Sequence, residues 1–345
     1  MTASSATSNG SLGSIVRVSP AEWKQPVPLD MFEEQLRTRD LALEYRILRW
    51  AGLQQRQRML GTEPITCERG EEDKDRYRYI RGGSSASSID GGFIASQAPL
   101  QSTALDFWSM ILHHGCEVIF VLCQLREGGR SKCAQYWPSP MGASMVVESD
   151  GISWRVKLAL EESYQHYGGG STAVAHDDED DHGSEFDLVK RVFEVSVEGD
   201  SSIPVKQVVQ YQYLSWPDHG TPDVDQFVRV FRVFHTARQR LSRGSGAPSA
   251  PILVHCSAGV GRTGCLIALE RLVSEAMEQK ENARGTPAVS VLATLEDMRN
   301  SRAFMVQTTG QYQLIYEAMA MLVSCGFFDD SAATAGAAAD LDSEI

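Results

Sequence analysis

The chain has 345 residues, a formal net charge of −13 and 42% hydrophobic residues, with a pI near 5.1. That length suits one large domain or two small ones, and an acidic chain without a basic stripe is a poor match for nucleic acid. Seven cysteines, odd in number and without a C-x-x-C pair, make neither a disulfide framework nor a zinc cluster. They fit a reducing compartment. No early apolar run reads as a signal peptide, and none reaches the roughly 18 residues that span a bilayer, so a cytoplasmic, soluble protein is the expectation.

Residues 1–27 begin as a Ser-, Thr-, Gly- and Ala-rich tail expected to be disordered. From Pro28 a helical stretch is expected, with Phe32, Leu36, Leu43, Ile47 and Leu48 on one face. Gly82 to Ser88 reads as a flexible loop. Phe93 to Ala95 is a short strand, Thr103 to Leu112 a helix, and Glu117 to Leu122 a strand running inward. Met145 to Leu160 supplies one or two strands. The Gly-rich and acidic run at about 168–184 can bury nothing and reads as an exposed insertion, either a plain loop or a surface for a partner. Leu188 to Val197 and Val208 to Leu214 resume strands, the second delivering Trp216 to Gly220. Val224 to Arg243 has the spacing of a long amphipathic helix. Val289, Leu292, Leu295 and Met298 mark another, and Gly310 to Leu322 a last one. The acidic, Ala-rich tail covers 327–345.

The chain is organised around Ile252 to Gly264, which reads as strand, tight loop and helix. Cys256 ends the strand. The slim residues Ser257, Ala258, Gly259, Val260 and Gly261 let successive backbone N–H groups turn toward one point, a nest for a phosphate-sized anion at a helix N-terminus. Arg262 adds a planar fork of donors. Amides, helix and arginine would favour a thiolate at Cys256, lying beneath the anion as an in-line nucleophile. A bare Cys-x5-Arg match is also compatible with a buried strand-end cysteine and a glycine turn.

The segment HCSAGVGRTG resembles the signature loop of the classical, phosphotyrosine-specific protein tyrosine phosphatases. Trp216-Pro217-Asp218-His219-Gly220 resembles their mobile acid loop, and Gln307-Thr308-Thr309-Gly310-Gln311-Tyr312 their water-positioning loop. Lys132 to Pro138 and Phe93 to Leu100 resemble two further core motifs, in the family's order. The resemblance covers roughly Pro28 to Cys325. It implies an α/β fold in one catalytic domain over 28–326, with a highly twisted mixed central sheet flanked by helices and the cysteine loop between a strand and a helix. It implies metal-independent hydrolysis of phosphotyrosine in proteins, with no cofactor.

On this resemblance Cys256 is the nucleophile, Arg262 and the amides of Ser257 to Arg262 clamp the phosphate, and Asp218 is general acid and then base. Gln307, with Gln311, orients the hydrolytic water, and Thr263 could hydrogen-bond the departing thiolate. Glu127 would hold Arg262 in register, Lys132 would reach toward the acid loop, and His255 would order the cysteine loop from behind. Trp216 opens the acid loop. Arg302 has either a substrate role or a salt bridge in the core. Lys74-Asp75-Arg76-Tyr77 resembles the family's cleft-lining loop, so Tyr77 would flank the substrate ring. Tyr79 stands where the family has aspartate, and a second registration places Tyr79-Ile80 on the following strand. Ala98 stands where the family usually has glycine, which would cost strain if the backbone there needs positive φ. A dual-specificity phosphatase and a catalytically weak phosphotyrosine-binding scaffold remain as alternatives.

Overall fold

The computed structural model describes residues 23–60, 86–89, 92–165, 187–243, 250–282 and 285–329. Tyr77, the 168–184 segment and most of both tails lie outside them. The strands are β1 (Val27–Pro28), β2 (Ala86–Ile89), β3 (Phe93–Ser96), β4 (Val118–Val121), β5 (Arg126–Glu127), β6 (Arg130–Ser131), β7 (Ser144–Ser149), β8 (Ile152–Gln165), β9 (Asp187–Val197), β10 (Lys206–Tyr213), β11 (Ile252–His255) and β12 (Ala288–Val289). The helices are α1 (Phe32–Thr38), α2 (Leu41–Leu60), α3 (Ala104–His113), α4 (Val224–Arg243), α5 (Arg262–Glu281), α6 (Val291–Ser301) and α7 (Thr309–Ser324).

Eight strands form one mixed sheet in the order β2-β3-β11-β4-β10-β9-β8-β7. Its middle, β3, β11, β4 and β10, is parallel, while β10, β9, β8 and β7 run antiparallel in turn. Ile252, Leu253, Val254 and His255 of β11 are all buried, as expected of a parallel strand covered on both faces. One face packs on α4, α5, α6 and α7 through residues such as Phe120, Phe231, Phe234 and Leu266. The other packs on Trp108 and Ile111 of α3 and on Tyr136 and Trp137. Ligands bind outside the carboxyl ends of such strands, and those ends of β3, β4, β10 and β11 lead into Ser96–Gln97, Leu122–Glu127, Trp216–Asp218 and Cys256.

Several local expectations are corrected. The segment read as a loop at Gly82 to Ser88 ends in β2, paired antiparallel with β3 from Ala86↔Ser96 to Ile89↔Phe93. Its small residues carry no alternating pattern that would mark an edge strand. The stretch after Pro28 is two helices, because Arg39 is extended and Asp40 turns its carboxylate back on the Leu43 amide at 2.9 Å. Val289 lies on β12 against Val27 rather than on the helix, and Ser290 caps α6 by accepting from Ala293 N. Ala98 is fully buried and does not have a positive φ, so alanine is unstrained there.

Candidate active site

The turn after β11 is built from the outside in. The Ser257 carbonyl accepts from Ala98 N at 3.0 Å and the Val260 carbonyl from Val306 N at 2.9 Å. Arg302 donates Nε to the Gly259 carbonyl at 2.8 Å and Nη2 to that of Ala258 at 3.3 Å. In a trans peptide the N–H opposes the C=O. Four carbonyls drawn outward therefore turn the amides of Ala258, Gly259, Val260 and Gly261 toward the concave side. Gly259 N already donates to Cys256 Sγ at 3.2 Å. Gly259 has φ +68°, and a Cβ there would lie 1.9 Å from the Ser96 carbonyl oxygen, so only glycine closes this turn against β3.

Cys256 is 4% exposed at the bottom of the loop. Burial pushes the Cys116 thiol up to about 12, and Cys265 well up. A hydrogen bond with Cys133 and then burial do the same to Cys123. Those three are neutral thiols near pH 7, poor nucleophiles compared with a thiolate. Behind the loop, His255 Nε2 meets the Tyr136 hydroxyl at 2.9 Å and His255 Nδ1 the Cys256 carbonyl at 3.3 Å.

Arg262 opens α5, and oxygens of Leu122, Glu127 and Pro217 hold its fork. Nη1 and Nη2 donate to Glu127 Oε1 and Oε2 at 2.6 and 2.8 Å, a bidentate pair. Nη1 also reaches the Leu122 carbonyl at 3.0 Å and Nη2 that of Pro217 at 3.2 Å. Burial works against the guanidinium charge, and Glu127 outweighs it, holding Arg262 above its ordinary value. The Pro217 contact ties the phosphate loop to the acid loop. Trp216 anchors that loop, 2% exposed against Phe227, with its ring centre 5.7 Å from the Arg262 guanidinium.

Asp218 stands exposed at the mouth, with Oδ1 3.1 Å from Lys132 Nζ. The Lys132 hydrogen bond holds its carboxyl below the usual value. Lys132 also lies 3.6 Å from Glu127. Between them β5 and β6 turn through Gly128 and Gly129, with φ of +53° and +75°. A Cβ on Gly128 would come within 2.3 Å of Asp218 Oδ2, so this glycine leaves the acid its room. A glycine pair before Lys132 was visible in the sequence, but its distant neighbour was not.

Gln307 and Gln311 both meet the loop at Gly261, where a Cβ would lie 2.8 Å from Gln307 Oε1 and 3.0 Å from Gln311 Nε2. Gln311 Oε1 accepts from Gln307 N at 2.8 Å. Thr263 is fully buried, and its hydroxyl has no hydrogen-bond partner among the described residues. Cys256, Arg262, Glu127, Lys132, Asp218, Gln307, Gln311 and Trp216 are thus brought to one mouth. Arg302 lies behind it and also donates to the Ser87 hydroxyl at 3.2 Å. Arg299 escaped sequence reading. It holds the Met305 and Val306 carbonyls at 2.9 and 2.7 Å and braces Val306, which has φ +61°, a costly conformation for a β-branched residue.

The sequence model of the family described as "Protein-tyrosine phosphatase" matches residues 62–321. The chain belongs to the protein-tyrosine phosphatase family. Among relatives, human "Tyrosine-protein phosphatase non-receptor type 4" is 34% identical over 259 residues, covering 75% of this chain and 24% of that one. Rat "Tyrosine-protein phosphatase non-receptor type 9" is 34% identical over 251 residues, covering 68% and 36%. The chain therefore spans about a quarter to a third of these relatives' lengths. The solved structure of PTPN18 in complex with HER2-pY1196 phosphor-peptides has the same fold, at TM-score 0.62 and 23% identity over 85% of this chain and 99% of that one. Among the described residues, no His, Cys, Asp and Glu group is placed to hold a metal. No helix among them is long and apolar enough to cross a membrane.

Proposed function

We propose that this phosphatase-family chain hydrolyses phosphotyrosine in proteins through a cysteinyl-phosphate on Cys256. The Cys256 thiolate attacks phosphorus as the bond to the phenolic oxygen breaks. Asp218 gives its proton to the leaving phenolate, then takes one from the water that attacks the thiophosphate and releases inorganic phosphate. Arg262 and the loop amides from Ser257 to Arg262 meet the charge spread over the equatorial oxygens. Gln307 and Gln311 orient the water, and the Thr263 hydroxyl, without a hydrogen-bond partner among the described residues, is available to the departing thiolate. Tyr77, outside the described residues, keeps its proposed place beside the substrate ring. The catalytic domain is assigned to 28–326 in a cytoplasmic setting, and the chemistry calls on no metal or cofactor. The phosphopeptide in the PTPN18 structure supports a phosphotyrosine protein as substrate.

The observation that carries this reading is the fork of Arg262 held by Glu127 above a cysteine that already accepts a loop amide. The test compares phosphotyrosine and phosphoserine peptides without added metal, for wild type and Cys256→Ser. Turnover confined to phosphotyrosine and abolished by Cys256→Ser is expected. Equal turnover of phosphoserine would favour dual specificity. Binding without turnover in the wild type would favour a scaffold.

A further inference from the structure

Behind the phosphate loop, buried polar side chains form a chain with a single direction. Arg191 on β9 is 8% exposed. Its guanidinium stacks 4.3 Å from the Trp137 ring centre, and Nε donates to Glu161 Oε2 at 2.5 Å on the solvent side. Nη1 donates to Gln210 Oε1 and Gln212 Oε1, each at 2.8 Å. Arginine has no acceptor, so these oxygens must face it and both amide NH2 groups must point away. Gln212 Nε2 then donates to the Cys123 carbonyl at 3.0 Å, and Gln210 Nε2 to the Tyr136 hydroxyl oxygen at 2.8 Å. Burial pushes the Tyr136 hydroxyl well up, so it keeps its proton. That proton is left for His255 Nε2, 2.9 Å away. The imidazole proton is thereby placed on Nδ1, which faces the Cys256 carbonyl at 3.3 Å.

We propose that Arg191 is a positioning residue for Cys256, fixing the peptide that carries the nucleophile through Gln210, Tyr136 and His255. The inference rests on Cys256 being the nucleophile. Gln210 and His255 are fully buried and Tyr136 is 2% exposed, so solvent cannot stand in for a missing link. A buried cation is an expensive way to join β8, β9 and β10, since well-packed apolar side chains would do that as well. What an apolar side chain cannot do is set the direction of four successive hydrogen bonds.

The experiment uses the full chain, with Arg191→Met, Tyr136→Phe and the double variant. The readouts are thermal midpoint, kcat and KM on a phosphotyrosine peptide, Cys256 alkylation by iodoacetate, and 15N spectra of the His255 ring. In the wild type, His255 should be the Nδ1-protonated tautomer. Arg191→Met should lose that fixed tautomer and lower kcat by up to about 100-fold, the cost of misplacing a reacting group by about 1 Å, with KM within about twofold. Adding Arg191→Met to Tyr136→Phe should change neither kcat nor the alkylation rate further. An unchanged tautomer and kcat in folded Arg191→Met, or effects of the two changes that multiply, would overturn the proposal. Should Arg191→Met not fold, Gln210→Met breaks the same chain while Arg191 keeps Gln212, Glu161 and Trp137, and the same readouts decide. Cys256→Ser separates the two claims. Activity surviving in it removes the nucleophile assignment, whereas an inactive Cys256→Ser beside an unaffected Arg191→Met removes only the relay.

Discussion

Replacing Glu127 by glutamine keeps the side-chain shape and removes the charge that Arg262 is built against. The carboxylate is 4% exposed and the guanidinium 13%, so solvent screens little of their attraction. Two charge-assisted bonds join them, at 2.6 and 2.8 Å. Glutamine can keep one acceptor, but its NH2 group then faces an Arg262 NH2. One bond is lost outright and the other loses its ionic share, each charge-assisted bond contributing about 1.5–3 kcal/mol. Leaving a buried cation without its partner costs about 3–5 kcal/mol. The Leu122 and Pro217 carbonyls remain on the fork at 3.0 and 3.2 Å, so the low end applies, about 3 kcal/mol. Urea unfolding followed by tryptophan fluorescence measures it. Under the proposed mechanism the freed fork should also misplace its contacts to the transferring phosphate, and a shift of about 1 Å costs about 100-fold in rate. Steady-state kinetics on a phosphotyrosine peptide should show most of that loss in kcat. Stability within about 0.5 kcal/mol of wild type, the range of ordinary surface changes, together with an unchanged kcat, would refute the reasoning.

Gly128→Ala places a methyl against Asp218 Oδ2 in a left-handed turn, so under the proposed mechanism kcat should fall by about 100-fold, the lower range for losing a general acid. Aryl phosphates of rising leaving-group pKa should suffer most. Lys132→Met removes the hydrogen bond that lowers the Asp218 carboxyl. Asp218 then holds its proton to higher pH, and the alkaline limb of kcat/KM should move up. Glu44 is fully buried and takes Arg39 together with the Tyr312 and Tyr316 hydroxyls. Glu44→Gln should cost about 3 kcal/mol by urea unfolding, as a broken buried pair does.

Features written in one stretch of chain were the legible ones. The helix expected over Val224 to Arg243 has those bounds in the structure, because Phe227, Val230, Phe231 and Phe234 recur at helical spacing. The strand before Cys256 was equally plain, being four residues buried on both faces. The edge strand Ala86–Ile89 was hidden because two serines and an alanine resemble a loop and its pairing partner alone fixes its state. In the sequence Arg191 is one charge within a strand, and only the stacking of Trp137 and two glutamines from β10 makes it an interior group. The sequence leaves Arg302 between a substrate role and a core salt bridge, and the structure adds bonds from its guanidinium to the Gly259 and Ala258 carbonyls. Such bonds to backbone leave no mark in residue types. They depend on where a distant segment presents its peptide oxygens.

Arg262, Glu127, Lys132 and Asp218 alternate in sign across the mouth, with successive contacts of 2.6, 3.6 and 3.1 Å. They come from three segments, with Glu127 and Lys132 on the two arms of one hairpin, so the acid loop, the β5–β6 hairpin and the phosphate loop hold one another by charge. In the free protein this favours an ionised Asp218, tethered to Lys132. Under the proposed mechanism the first step needs Asp218 protonated. A phosphate dianion seated in the loop supplies the opposite influence: negative charge near a carboxylate disfavours its ionised form and raises its pKa. The alkaline limb of kcat reports the bound complex and that of kcat/KM the free protein. Once the substrate's own ionisation is allowed for, the limb in kcat should lie at higher pH than the limb in kcat/KM. Asp218→Asn should abolish both limbs. Coincident limbs in the wild type would mean that the dianion does not act on Asp218, and the acid would have to be sought elsewhere in the mouth.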